Sequence, residues 1–201
     1  GLRHLEDFRR FADARIAAVC DVYQPRVQQA RAICNGEPRG YADFRRLLED
    51  REVDAVVIST PDHWHALQTI MACAAGKDVY VEKPMTLFVR EGRWMVNAAR
   101  RHQRIVCVGT QGRSGTHIPE ALELVRSGAV GRIHSIRFGA YRNIMPGFGR
   151  PADGAPPPGL DYDLWLGPAP QRPYNPNRCL YHFRWFWDYS GGQMTNLGAH
   201  D

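Results

Sequence analysis

Residues 53–84 read VDAVVISTPDHWHALQTIMACAAGKDVYVEKP. Val53–Ser59 is an apolar run of the kind buried on both faces of a parallel sheet, and Thr60-Pro61-Asp62 closes it. His63–Ala75 reads as a helix that stops at Gly76. Asp78–Val81 then reads as a further strand, followed directly by Glu82-Lys83-Pro84. Strand, helix and strand in such close succession form a βαβ unit with parallel strands.

Working outward, the same alternation continues on both sides. Leu2, Leu5, Phe8 and Phe11 have helical spacing. Arg15–Cys20 (RIAAVC) is a short buried strand ending in Asp21, and Pro25–Cys34 is a helix with Val27, Ala30 and Cys34 on one face. Phe44, Leu47 and Leu48 mark a short helix with Asp43 in its first turn. Thr86 can cap a helix running to about His102, and Ile105–Val108 is one more strand. Residues 1–113 therefore predict βαβ units and a parallel sheet.

After residue 113 the character changes. Ile118–Ser127 is an amphipathic helix ended by Gly128, and Ile133–Tyr141 alternates as a strand with one covered face does. Nine of the fourteen prolines fall between Pro146 and Pro176, which leaves no room there for a long helix or a central strand. That stretch is either an ordered excursion across a surface or a flexible loop. Trp165 and the aromatic run Tyr181–Tyr189 (YHFRWFWDY) argue that it packs on something. Residues 114–201 thus read as a second region, distinct from the alternating one before it.

Composition excludes several classes. With 44% apolar and 23% charged residues, the chain is neither disordered nor fibrous. No run approaches the ~18 apolar residues of a membrane span, so no membrane partner is expected. Five cysteines, an odd number without a CxxC pair, suit neither a disulfide framework nor a structural zinc site. The net charge of +5 comes from scattered residues, and nothing resembles a basic recognition helix, so no nucleic-acid partner is expected. Only Lys77 and Lys83 among the basic residues are lysines, which makes each conspicuous in an arginine background.

Four places can carry chemistry. A carboxylate at the tip of the second strand of a dinucleotide-binding fold accepts the ribose hydroxyls, about 20 residues past a Gly-rich turn. Asp21 has that place, although a strand end in solvent reads the same way. Counting back puts most of the Gly-rich turn before Gly1. The loop Ser59–His65 follows a strand and opens a helix, so its hydroxyls and N–H groups can face a phosphate or ribose. His63-x-His65 lacks a third ligand, and no metal is expected. Lys83 stands at a strand's carboxyl edge, where ligands bind in open parallel sheets, and its ammonium can donate to a substrate oxygen. Asn196 and His200, four apart in a predicted helix over Gly191–Asp201, would share a face, with a neutral imidazole as general base.

Taken together, the chain resembles the glucose–fructose oxidoreductase / inositol dehydrogenase / MocA family. The resemblance rests on Asp78–Pro84 with its Glu82-Lys83-Pro84, on VDAVVISTPDHWHA, on DYDLWLGPAP (Asp161–Pro170) and on GGQMTNLGAHD. These occur in family order across essentially the whole chain. The resemblance implies a Rossmann-type, doubly wound parallel sheet over residues 1–113, whose first strand precedes Gly1, followed over residues 114–201 by the beginning of a second, larger-sheet α/β (α+β) domain with a largely antiparallel sheet. It implies a nicotinamide cofactor near Thr60, Pro61, His65, Glu82 and Gln111, Lys83 as catalytic lysine, and a cis Lys83–Pro84 peptide. Many sugar dehydrogenases of this family carry Asp-x-x-x-His where this chain has Asn196 and His200. Asparagine cannot accept a proton, so His200 carries the base role alone.

The expectation is an NAD(P)-dependent oxidoreductase that moves hydride between the cofactor and a hydroxyl-bearing carbon of a sugar, cyclitol or related polyol. Lys83 polarises the oxygen and His200 takes its proton. Asp21 favours NAD, because a 2′-phosphate would face a carboxylate; the nearby Arg26 keeps NADP as the alternative. Two further readings stand beside this one: a glycosidase or lyase using transient oxidation, and a non-catalytic cofactor-binding regulator. The chain is expected to be a fragment of a cytoplasmic homo-oligomer, with export as the alternative location.

Overall fold

The computed structural model describes residues 1–137, 139 and 147–200, with only the backbone of His200. Three parallel strands form the larger sheet, β3 (Ala55–Ile58), β4 (Asp78–Glu82) and β5 (Val106–Gly109), in that order. Val56 pairs with Val79, and Val79 with Val106, so the apolar runs run in register. A second parallel pair joins β1 (Ala18–Cys20) to β2 (Arg39–Tyr41). Helices α4 (Asp62–Ala74) and α5 (Val89–His102) pack on each other and close the main core. Ala72, Cys73, Val81 and Met95 are at most 2% exposed in that core. A smaller core joins Val19 to Val27 and Ala30 of α2 (Gln24–Ile33), under Leu2 and Leu5 of α1 (Leu2–Phe8). Helix α3 (Phe44–Leu48) is capped by Asp43, whose carboxylate accepts the Arg45 N–H.

The parallel strands fall into two groups among the described residues. β1 pairs only with β2, and β3 only with β4, among the described residues. The facing edges instead line a cavity of about 1090 Å³, with Ala18–Cys20 and Ala55–Ile58 in its wall. The order β2-β1, cavity, β3-β4-β5 is that of a doubly wound sheet with one central position open.

Other boundaries also moved. Phe88, not Thr86, precedes α5: the Glu91 carboxylate accepts the N–H groups of Leu87 and Phe88 and so fixes the start two residues later. Helix α6 is His117–Arg126. The expected strand over Ile133–Tyr141 does not form across residues 133–137 and 139, and its remaining residues lie outside the described ones.

The proline-rich segment is an ordered excursion. Leu160 bridges Tyr23, Gly154 bridges Tyr174, and α7 (Tyr162–Leu166) is capped by Asp161. Trp165, Leu166, Cys179 and Tyr189 are 4%, 1%, 1% and 0% exposed in one cluster. The only ladder contacts here are those two antiparallel bridges, so the expected second sheet is not built from the described residues.

Candidate functional site

The cavity runs along β1 and β3, and its lining includes the carboxyl ends of β1, β3 and β4, where open parallel sheets bind ligands. Asp21, Thr60, Asp62, Glu82, Lys83 and Asn196 all line it. Asp21 follows β1; one of its oxygens accepts the Tyr23 N–H (2.9 Å) and the other lies 3.9 Å from Arg26. Burial pushes its carboxyl up, against the Tyr23 bond and the Arg26 charge.

The loop after β3 is held from behind. Thr60 Oγ1 donates to Gln68 Oε1 (2.9 Å), so its hydroxyl braces α4 instead of facing outward. Pro61 is the residue before the helix, in extended conformation. His65 is 1% exposed, with Nδ1 2.6 Å from the Pro84 carbonyl and Nε2 2.9 Å from the Thr60 carbonyl. Its ring thus ties the Thr60-Pro61 loop to the Lys83–Pro84 turn, whose peptide bond is cis.

The first turn of α4 also grips the second half of the chain. His63 Nε2–H and Trp64 Nε1–H both donate to the carbonyl of Trp165, at 3.1 and 2.9 Å. Ser190 Oγ donates to Asp62 Oδ2 at 2.5 Å, with both residues at most 3% exposed. Burial pushes the Asp62 carboxyl up, against the Ser190 bond and the charges of His65, Lys83 and Arg184. Burial likewise pulls the His63 imidazole down to about 4. His63-x-His65 is therefore a pair of structural donors. Among the described residues, no three His, Cys, Asp or Glu side chains gather as a metal site.

Lys83 stands just past β4, and its Nζ donates to the main-chain carbonyl of Asn196. Two residues far apart in sequence thus meet at one wall of the cavity. Asn196 is 9% exposed at the end of α8 (Gln193–Asn196). The expected continuous helix through His200 stops there, and Gly198–His200 forms a tighter 3₁₀ turn. Gly198 weakens helix continuation, and a shift to 3₁₀ geometry is a common way for a helix to end. The side chain of His200 lies outside the described residues. Gln111 is exposed on the 3₁₀ turn Gln111–Ser114 and does not line the cavity.

Sequence reasoning missed His4, whose Nε2–H donates to Glu82 Oε1 at 2.6 Å. It also missed Asp62 and Ser190. A buried acid, DHWH, at a helix start was the one visible signal for Asp62; His4 and Ser190 had none.

The residues fit a dinucleotide. The half-buried Asp21 carboxylate and the buried Ser59 hydroxyl, which has no partner among the described residues, line one cavity with Lys83. Asp21 would hold the ribose hydroxyls, and the Ser59–Pro61 loop and Lys83 would border the nicotinamide end.

Comparison with known proteins agrees with this geometry. Residues 1–110 match an oxidoreductase family model described as an NAD-binding Rossmann fold, and residues 148–201 match the C-terminal α/β domain of the same family. Myo-inositol 2-dehydrogenase of Thermotoga maritima is 29% identical over 81% of this chain and 45% of its own length. A glycosyl hydrolase family 109 protein of Shewanella sp. (strain MR-4) is 31% identical over 66% of this chain and 31% of its own. The WlbA dehydrogenase of Bordetella pertussis, solved with NADH and UDP-GlcNAcA, superposes with a TM-score of 0.60 at 27% identity, over 64% of this chain and 37% of that one. The chain spans less than half the length of each of these relatives. No helix among the described residues is long and apolar enough to cross a membrane. With more than half its length matched by the Rossmann model, the chain belongs to the Gfo/Idh/MocA oxidoreductase family.

Proposed function

We propose that the full-length protein is an NAD(P)-dependent oxidoreductase acting on a hydroxyl-bearing carbon of a sugar, cyclitol or related polyol. In this reading residues 1–113 bind the cofactor and residues 114–201 begin the substrate domain. A bound nicotinamide supplies the hydride chemistry. Lys83 Nζ donates to the reacting oxygen and stabilises its charge. His200 accepts the hydroxyl proton as the carbinol becomes a carbonyl, and Asn196 orients the substrate. Asp21 holds the adenosine ribose and favours NAD, with Arg26 at 3.9 Å as the group that would accommodate NADP.

The observation that carries this reading is the meeting of Lys83 with Asn196 on the cavity that Asp21 also lines. The dehydrogenases among the relatives support the same class. In the full-length protein, Lys83→Ala should abolish turnover and keep cofactor affinity. Undiminished turnover in that variant refutes the assignment.

The similarity to a family 109 glycosyl hydrolase supports a second reading, in which oxidation is transient and the product is a cleaved glycoside. Absorbance of reduced nicotinamide separates the two. A dehydrogenase accumulates it; a cycling enzyme forms product without net accumulation.

A further inference from the structure

Among the described residues, the second half of the chain contributes six to the cavity wall, and Arg184 is the charged one. Leu164, Trp165, Leu180 and Phe183 are apolar, and Asn196 is neutral. The Arg184 guanidinium is fixed from within its own segment. Nη1–H donates to the Tyr181 carbonyl at 2.7 Å, and Cζ lies 4.3 Å from the Tyr181 ring centroid and 5.0 Å from that of Phe183. Nearby, Arg172 and Arg178 pair with Asp188 and Asp153. Arg184 differs from both: no Asp or Glu oxygen among the described residues lies within 4.0 Å of it. Its Nε–H is buried, again without an acceptor among the described residues. A cation partly stripped of water and lacking a counter-ion is costly to hold, and its attraction to an incoming anion is correspondingly strong. A guanidinium offers five N–H donors in a rigid fork that matches a carboxylate or a phosphate. The Asp62 carboxyl, engaged by Ser190, feels the charges of both Arg184 and Lys83, so the two cations stand around one buried acid at the same part of the cavity.

We propose that Arg184 determines specificity, and that the substrate is a sugar or polyol bearing an anionic group, a carboxylate or a phosphate ester, which this guanidinium receives. The inference deepens the redox reading above and rests on it for the place of the reacting carbon, yet binding can be read without turnover. Arg184 belongs to the half of the chain assigned to the substrate, so the anion it receives is the substrate's and not the cofactor's pyrophosphate.

The test is calorimetric titration of the full-length protein, loaded with NAD, with matched sets of ligands: glucose, glucuronate and a glucose phosphate ester, then galactose, galacturonate and a galactose phosphate ester. At least one acid or ester should bind about tenfold tighter than its neutral parent, and which of the two it is tells carboxylate from phosphate. Arg184→Met keeps the stem against the Tyr181 and Phe183 rings and should erase that preference, with affinity for NAD and for the neutral parents unchanged. Arg184→Lys keeps the charge without the fork and should restore part of it. In the wild type, the favoured anionic ligand should also slow phenylglyoxal modification of the Arg184 peptide but not of the exposed Arg100. Three results overturn the proposal: no preference for any anionic ligand, a preference that survives Arg184→Met, or loss of NAD affinity along with it. Should Arg184→Met fail to fold, lack of protection in the wild type overturns it alone. If an anionic sugar binds through Arg184 but reduces no cofactor, the redox reading fails and the anion site stands. Turnover confined to neutral polyols has the reverse meaning.

Discussion

Acid should weaken this fold through His63 by an amount that can be worked out. The imidazole is 4% exposed, packed on Trp165 and Tyr189 with ring centroids 5.5 and 5.3 Å away. Burial brings its ionisation from the ordinary 6.5 down to about 4 in the folded chain. Between those values the unfolded chain holds the extra proton, so stability rises with pH across the window and is lost as pH falls through it. At about 1.36 kcal/mol per pH unit, full acidification costs about 3 kcal/mol. That is a large share of the 5–15 kcal/mol typical of a whole domain. Urea unfolding followed by tryptophan fluorescence would measure it, at pH 7 and pH 4.5, for the wild type and for His63→Gln. Glutamine keeps a donor for the Trp165 carbonyl and removes the titration. The carboxylates contribute in both proteins: Asp43, Asp50 and Asp153, held low, lose stability on acidification, and Asp62, held high, gains it. These terms cancel in the difference, which should leave the wild type about 2–3 kcal/mol more acid-sensitive. Equal acid sensitivity in the two proteins would refute the argument.

Three more outcomes are expected. Gly167 has φ +48°, and an added Cβ would lie 1.9 Å from Trp64 Cζ2, so Gly167→Ala should destabilise by more than ~3 kcal/mol in thermal or urea unfolding. Ser190→Ala strips the buried Asp62 carboxylate of its donor and should cost about 1–3 kcal/mol near neutral pH; a neutral result in urea unfolding contradicts the bond. Under native conditions maleimide should modify Cys107, which is exposed, before Cys73 and Cys179, which are 0% and 1% exposed. Cys179 is further protected because burial pushes its thiol up to about 12. Peptide mapping that found Cys179 modified first would contradict this packing.

The parts of the fold that were legible are those written in side chains along one segment. Val53–Ser59 and Asp78–Val81 are apolar runs long enough to announce buried strands, and both are present as β3 and β4. The strand Arg39–Tyr41 was not legible, because three residues with an arginine and a glycine become a strand only by pairing with β1. The alternation shows the reverse error across residues 133–137 and 139, where a period-2 pattern finds no partner strand among the described residues and makes no ladder. In the candidate site, Lys83 stood out in the sequence by its rarity, and the structure puts it on the cavity wall. The purpose of His63 and Trp64 was not, because their partner is a main-chain carbonyl, and such an acceptor has no residue type to recognise. The ties from His4 to Glu82 and from Asp62 to Ser190 span 78 and 128 positions, beyond any periodicity.

The Trp165 carbonyl has a consequence for the order in which this protein matures. Two donors at the start of α4 await an acceptor that lies 101 and 102 positions downstream. At 5–20 residues per second of synthesis, the nascent N-terminal half must wait about 5–20 s before that oxygen leaves the ribosome. During this interval, an imidazole and an indole meant for a dry interior stay wet, and the cofactor-side loop they anchor stays loose.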